Sequence, residues 1–436
     1  MGHLRDKGDG RHIAGGKNGK LGRFDGEEGP VASHDEFDLT PGTDVGSIDD
    51  SSIPREVRDR IFAPSAKFMR AQLSVRTPFQ KVVVIPVDFE AWPRNASVTT
   101  EAIREFMFGP LGTESVAAFF AATSYNHAGL LEGAISECVR LPADPPASEL
   151  SGSNALLQAA CQGASVDWSQ FADANGVITQ DRALLVVIPP FGGTGASRFH
   201  QFQFTIGNLT YTMYGYVASF DCKRPNDFAN GNDALSYNRA TACHELCHAL
   251  YGLPDRYGTG VEHGGRDYVG DYDLMANNGS VKMLNPHDRL KLGWFEPRIH
   301  HLGRVPRRLY KFRAAENFTN SALIVYSDGS PDEYWILENR SLADDPWGVD
   351  AGFPKSGLAV WWVDMANDNV VLVRQEHPSE KPLNQSQPQA QPTASDTPLF
   401  DSASGAVEAS LFPQNGTGMI LLKQISAAGG VMTVEL

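Results

Sequence analysis

Cys243-His-Glu-Leu-Cys-His-Ala-Leu-Tyr-Gly-Leu-Pro-Asp255 is the most informative run in the chain. Helix signals begin at Asn232 and Asp233, both good N-caps, and persist to Tyr251, where Gly252 and Pro254 stop them. Positions i and i+4 of a helix share a face, so His244 and His248 direct their imidazoles at one point. Neutral imidazole suits Zn2+ at about 2.0–2.1 Å, and two histidines leave room for a third ligand and a water. Glu245, beside the first histidine, reaches that water rather than the metal, and its carboxylate can take the water's proton. With 12 His in the chain, composition alone supplies on the order of 0.02 such H-E-x-x-H matches. Chance is therefore a poor account of a match that also falls inside a capped helix.

The third ligand is less directly written. Metzincin-like sites use H-E-x-x-H-x-x-G-x-x-H/D, in which the glycine turns the chain so that the last residue swings back. Here the spacing is one residue longer before Gly252. Asp255 is the first choice for the third ligand; Glu262, His263, Asp271 and Asp273 are its rivals.

Outward from this run, residues 81–90 read Lys-Val-Val-Val-Ile-Pro-Val-Asp-Phe-Glu, a buried strand, and further strands are expected over 129–141 and 183–190. A helix is expected over 114–122 and a loop over 192–197. Alternation over 204–217 predicts a hairpin turning at Gly207-Asn208. Beyond Trp294 the pattern changes to short strands at 308–313, 322–326, 334–338, 358–363 and 418–424. A Gln/Pro/Ser tract at 378–398 interrupts them and reads as a mobile loop. The fold expected is α+β. A catalytic domain over 76–297, a mixed sheet plus the histidine-bearing helix, precedes a β-rich C-terminal domain over 298–436.

Residues 1–75 read differently. The stretch 24–61 carries eleven acidic against three basic side chains, so the segment is expected to be disordered or a docking pro-segment. A short helix fits within 54–73. Residues 1–23 hold six basic residues but no apolar core of a secretory signal. Seven N-x-S/T sequons, Asn208 and Asn339 among them, point the other way, towards secretion.

With 37 basic and 52 acidic residues the net charge is −15. That balance argues against nucleic-acid binding, which needs a basic face. No run approaches the roughly 18–20 apolar residues of a membrane span. Five cysteines form no disulfide framework, and Cys243 and Cys247, one helical turn apart, are poorly placed to bond each other. The reading is a monomer that acts on protein or peptide substrates.

Several ordered motifs together resemble the immune inhibitor A family of bacterial metallopeptidases. They are the run from His244 through Gly-Leu-Pro-Asp-Arg-Tyr257, Val269-Gly-Asp-Tyr-Asp-Leu-Met-Ala276 and Asn285-Pro-His-Asp-Arg-Leu-Lys-Leu-Gly-Trp294. Echoes continue in Val84-Ile-Pro-Val-Asp-Phe89, Ser115-Val-Ala-Ala-Phe-Phe-Ala-Ala-Thr-Ser-Tyr125, Glu333-Tyr-Trp-Ile-Leu-Glu-Asn-Arg340 and Gly357-Leu-Ala-Val-Trp-Trp-Val-Asp364. The resemblance spans residue 80 to the C-terminus. It implies a secreted zinc endopeptidase of metzincin-like fold, with His244 and His248 on zinc, Glu245 as general base and Met275 packed beneath the metal.

A calcium site is a further reading at Asp173-Ala-Asn-Gly-Val-Ile-Thr-Gln-Asp181. There Asp173, Asn175 and Asp181 alternate around a glycine turn; a plain Asx turn is the competing reading. Two other functional classes share the main motif. One is a zinc-retaining binding or adhesion module, against which the intact Glu245 argues. The other is an intracellular zinc hydrolase, which would close its pocket around a small molecule instead of offering a strand edge.

Overall fold

The computed structural model describes residues 42–62, 79–91, 93–94, 99–142, 153–189, 195–220, 239–256, 269, 272–276, 280–294, 297–316, 322–329, 332–345, 347–350, 355–366, 369–372, 408–411 and 420–436. Helices and sheets are mixed, as expected, and the chain divides into two compact units. One comprises Met1–Ala63, Gly258–Tyr272 and Arg289–Leu436; the other comprises Pro64–Tyr257 and Asp273–Asp288.

The acidic N-terminal stretch, expected to be disordered or a pro-segment, is folded over residues 42–62. β1 (Thr43–Asp44) runs parallel to residues 310–311, a 3-10 turn follows at Val45–Ser47, and α1 covers Arg55–Phe62. Two of its buried or half-buried acidic residues are matched by arginines of the same unit. Asp50 takes the Arg58 guanidinium at 2.6 Å, and Asp44 takes Arg313 at 2.8 Å. Val45, Ile48, Ile53, Val57 and Ile61 are buried. Composition understates such a segment because its few apolar residues are spaced to be buried, Val45 and Ile48 in one core with Tyr310, Phe312 and Val434.

In the second unit, β2 (Phe79–Phe89) is followed by α2 (Thr100–Phe108) and α3 (Val116–Thr123). Thr99 and Ser115 cap these helices by accepting the amides of Ala102 and Ala118 at 3.1 and 3.0 Å. Next come β3 (Gly129–Ile135), β4 (Val139–Leu141), α4 (Asn154–Gly163), β5 (Val177–Thr179) and β6 (Leu184–Ile188). β7 (Ala196–Ile206), β8 (Leu209–Ser219) and α5 (Arg239–Tyr251) complete the run. The 192–197 stretch expected as a loop thus enters β7 at Ala196. The hairpin turns at Gly207-Asn208 as expected, with Gly207 at φ +60, the left-handed backbone that the first position of a II′ turn requires. Asn232 and Asp233, the caps expected for the start of α5, lie outside the described residues.

These strands form one sheet. β2 pairs in parallel with β3 and then β4 on one side and with β6 on the other; β6 and β5 pair in parallel with successive stretches of β8. β7 pairs only with β8 among the described residues, antiparallel and along its whole length, so it forms an edge. One face packs Val83, Ile85, Val87, Leu185, Val187, Phe202, Phe204 and Met213 on Leu157, Ala160 and Cys161 of α4 and on Trp168 and Phe171. α5 packs on β7, β8 and α3.

α6 (Pro286–Lys291) lies where the chain passes between units. Among the described residues, the first unit then holds two five-stranded sheets. β9 (Arg298–His301), β11 (Leu323–Tyr326), β12 (Glu333–Arg340), β13 (Gly357–Asp364) and β14 (Asn369–Leu372) make one. β1, β10 (Leu309–Arg313), β15 (Glu408–Leu411), β16 (Ile420–Lys423) and β17 (Val431–Glu435) make the other. Tyr310, Phe312, Leu323, Val325, Trp335, Leu337, Val360, Trp362, Met432 and Val434 share one core. The sequon at Asn339 is closed to modification in the folded unit: the side chain is fully buried, and its Nδ2 donates to Gly429 O at 2.8 Å and Phe312 O at 3.3 Å. The 378–398 tract lies outside the described residues. No helix among the described residues is long and apolar enough to cross a membrane.

The folding of residues 42–62 has a direct consequence. Ile61 is fully buried, and its carbonyl accepts from Lys291 Nζ at 3.0 Å. Ile61→Ala is expected to cost about 2–5 kcal/mol in chemical denaturation of the full chain. A cost under about 0.5 kcal/mol, the range of a surface site, would show that the segment is not held as described.

Candidate metal centre

α5 carries His244 and His248 one turn apart, and both rings are oriented by backbone carbonyls. His244 Nδ1 lies 3.0 Å from Leu274 O, and His248 Nδ1 lies 2.6 Å from Leu253 O. A carbonyl only accepts, so each Nδ1 carries the proton and each Nε2 presents its lone pair. The two Nε2 atoms face one another at 3.0 Å. Two lone pairs at that distance repel unless a cation sits between them.

The end of α5 brings the third group in. Gly252 takes φ +63, a left-handed stop, while its amide still bonds His248 O at 2.9 Å. Gln180 secures the same end, its side-chain amide donating to Ala249 O and its carbonyl accepting from Tyr216 N. The chain then doubles back through buried Leu253, so that Asp255 Oδ1 lies 3.1 Å from Nε2 of both histidines. The extra residue before Gly252 is absorbed because the helix runs on to Tyr251 before turning. Among the described residues these three form the one cluster of histidine, cysteine or carboxylate groups whose ligand atoms converge. When a proton rather than a cation bridges the three groups, burial disfavours the Asp255 carboxylate, but hydrogen bonds from a protonated His244 or His248 Nε2 outweigh it and hold the group far below the usual carboxylate range. Burial likewise opposes a charge on His248, and in that metal-free, protonated state Asp255 overcomes it and raises that ring.

The donor set fits zinc. Three ligand atoms around a tetrahedral ion with bonds of about 2.0–2.1 Å stand roughly 3.3 Å apart, close to the 3.0–3.1 Å separations here. Two imidazoles and one carboxylate are the chemistry of an open site with a fourth position for water.

Glu245, next to His244 on α5, is only 5% exposed, and its charge acts on the His248 ring. Gly195, immediately before β7, is what leaves it room. A Cβ at position 195 would stand 2.5 Å from Glu245 Cγ and 2.6 Å from its Oε1. Sequence reasoning passed over Gly195 as one glycine in a loop; the signal was a Gly-Gly-Thr-Gly run ahead of an alternating strand.

Of the other sequence-derived candidates for the third ligand, Asp273 is described and stands apart from the cluster. Asp273 is fully buried and structural: Oδ1 accepts from Met275 N at 3.0 Å and Oδ2 from Asn285 Nδ2 at 2.6 Å. Burial and the neighbouring Asp288 push its carboxyl up to about 6. Met275 is fully buried in a turn whose preceding carbonyl, Leu274 O, orients His244. Glu262, His263 and Asp271 lie outside the described residues. Asp173 Oδ1 accepts the amides of Asn175 and Val177, both at 2.8 Å, and Gly176 turns at φ +78, which is the bonding of an Asx turn. Cys243 and Cys247 are free, fully buried thiols, and burial pushes Cys243 up to about 12. Neither belongs to the converging cluster.

No protein-family model matches the chain, and no curated protein is significantly similar to it.

The cluster is expected to bind one equivalent of Zn2+ or Co2+ per chain, read by elemental analysis after dialysis. His244→Ala and His248→Ala are each expected to lose it. Stoichiometric retention by either variant would place the metal elsewhere.

Proposed function

We propose that this chain is a zinc-dependent endopeptidase in which His244, His248 and Asp255 hold the metal and Glu245 is the general base. The observation that carries the reading is the facing pair of Nε2 atoms, 3.0 Å apart, with Asp255 Oδ1 at 3.1 Å from each and both Nδ1 atoms committed to carbonyls. Zinc in such a site supplies Lewis acidity, lowering the pKa of water towards about 7. Glu245 would hold the proton of a water polarised there and return it to the leaving amine. Its burial beside Gly195 keeps the carboxylate in one place for both transfers.

An endopeptidase must also hold an extended chain. β7 is an antiparallel edge whose N-terminal end starts one residue after Gly195, beside Glu245, so a peptide pairing with that edge passes the base. This feature favours a polypeptide substrate over a small molecule enclosed in a pocket. The helix beneath an edge strand, the glycine stop and the buried Met275 turn support a metzincin-like arrangement, in keeping with the resemblance to the immune inhibitor A family. Secretion accords with that resemblance.

Glu245→Gln is expected to lower casein hydrolysis by about 10²–10⁴-fold while zinc stays stoichiometric. Gly195→Ala is expected to lower the rate with zinc likewise retained, because the added methyl displaces the base. Wild-type hydrolysis by the Gln variant would remove Glu245 from the mechanism.

A further inference from the structure

Asp255 differs from the two histidines in having no helix to hold it. It sits on the irregular stretch after Gly252, with its side chain 34% exposed against 2% for His244. Its position therefore depends on what fixes the chain on either side. On the N-terminal side, Leu253 is buried and its carbonyl takes His248 Nδ1. On the C-terminal side stands Arg256. Its amide donates to Met275 O at 2.8 Å, and its buried guanidinium grips both oxygens of Asp288, Nε to Oδ2 at 3.1 Å and Nη2 to Oδ1.

Asp288 is fixed in turn. Its amide donates to Asn285 Oδ1 at 2.9 Å, and Asn285 Nδ2 donates to Asp288 Oδ2 and Asp273 Oδ2, both at 2.6 Å. Asp273 accepts the amide of Met275, whose neighbour Leu274 orients His244. The hydrogen bonds thus close a ring from Arg256 through Asp288, Asn285 and Asp273 to the Met275 turn and back to the Arg256 amide.

We propose that Arg256 and Asp288 are positioning residues that hold Asp255 Oδ1 at the metal site, acting through the backbone at 255–256. The inference rests on the reading of His244, His248 and Asp255 as a metal centre. A pair serving only general stability would have no reason to clamp the residue next to the third ligand to the turn that orients the first. It also accounts for how a motif one residue too long still closes: the reach of the loop is set by the Arg256 anchor, not by the glycine spacing alone.

The test is a double-mutant cycle on metal affinity. Co2+ and Zn2+ affinities are measured by chelator competition on the full chain, with the visible spectrum of the Co2+ form. Asp288→Asn is expected to weaken affinity by roughly 10–100-fold and to alter the Co2+ spectrum, with Asp288→Glu recovering part of the loss. In an Asp255→Ala background, Asp288→Asn is expected to add no further loss, because the ligand it positions is gone. Wild-type affinity and spectrum in Asp288→Asn, or an equal loss in both backgrounds, would overturn the proposal. If Asp288→Asn does not fold, Arg256→Lys, which keeps the charge but not the two-pronged grip, gives the same readout. A wild-type chain that binds neither ion would instead remove the metal-centre reading, and this role with it.

Discussion

Two hydrogen bonds, His244 Nδ1 to Leu274 O and His248 Nδ1 to Leu253 O, set the chemistry of this molecule. They fix which nitrogen of each ring bears a proton, and so leave two lone pairs facing each other beside a carboxylate. Without them the rings could rotate or shift tautomer, and the cluster would be an ordinary buried histidine pair bonded to an aspartate. Carboxylates or carbonyls behind metal-binding imidazoles recur for this reason: they orient the ring and raise its basicity. Both acceptors here are backbone atoms, which ties the site to the path of the chain and not to a replaceable side chain.

That dependence organises the surrounding structure. Leu253 O is available because Gly252 ends α5 in the left-handed region, and Leu274 O because the Met275 turn is pinned by Asp273 and Asn285. Gln180 ties the last turn of α5 to β8. The sheet contributes through its edge: β7 enters past Gly195, and the missing side chain there is the space Glu245 occupies. Each of these elements acts on an atom within reach of the histidines, through geometry and burial and with little help from net charge.

Much of this was legible in the sequence, because the relevant signals are local. The i, i+4 histidines, the glycine stop, the apolar run of β2 and the Gly207-Asn208 hairpin each follow from spacing along a few residues. The C-terminal strands at 308–313, 322–326, 334–338 and 358–363 were readable for the same reason. β9 was not, since Arg298-Ile-His-His301 shows no alternation; it is a strand because it pairs in parallel with β11, far along the chain. The helix at Arg55–Phe62 falls within the 54–73 stretch expected to be helical, but the folding of the rest of residues 42–62 was hidden similarly. Acidic composition suggested disorder, but Arg58, Arg298 and Arg313 supply the counter-charges from within the same unit. Gly195, Arg256 and Asp288 escaped for a deeper reason, because their roles lie in contacts across tens of residues that no window of sequence contains.

The proposed metal centre is tested most directly by which atoms surround a bound zinc ion. Zinc K-edge X-ray absorption on the zinc-loaded full chain measures them without reference to activity. Two imidazole nitrogens and one or two oxygens at about 2.0–2.2 Å, with no sulfur shell, are the result this account predicts. A sulfur scatterer near 2.3 Å, which would bring Cys243 or Cys247 into the site, or a single imidazole, would contradict it.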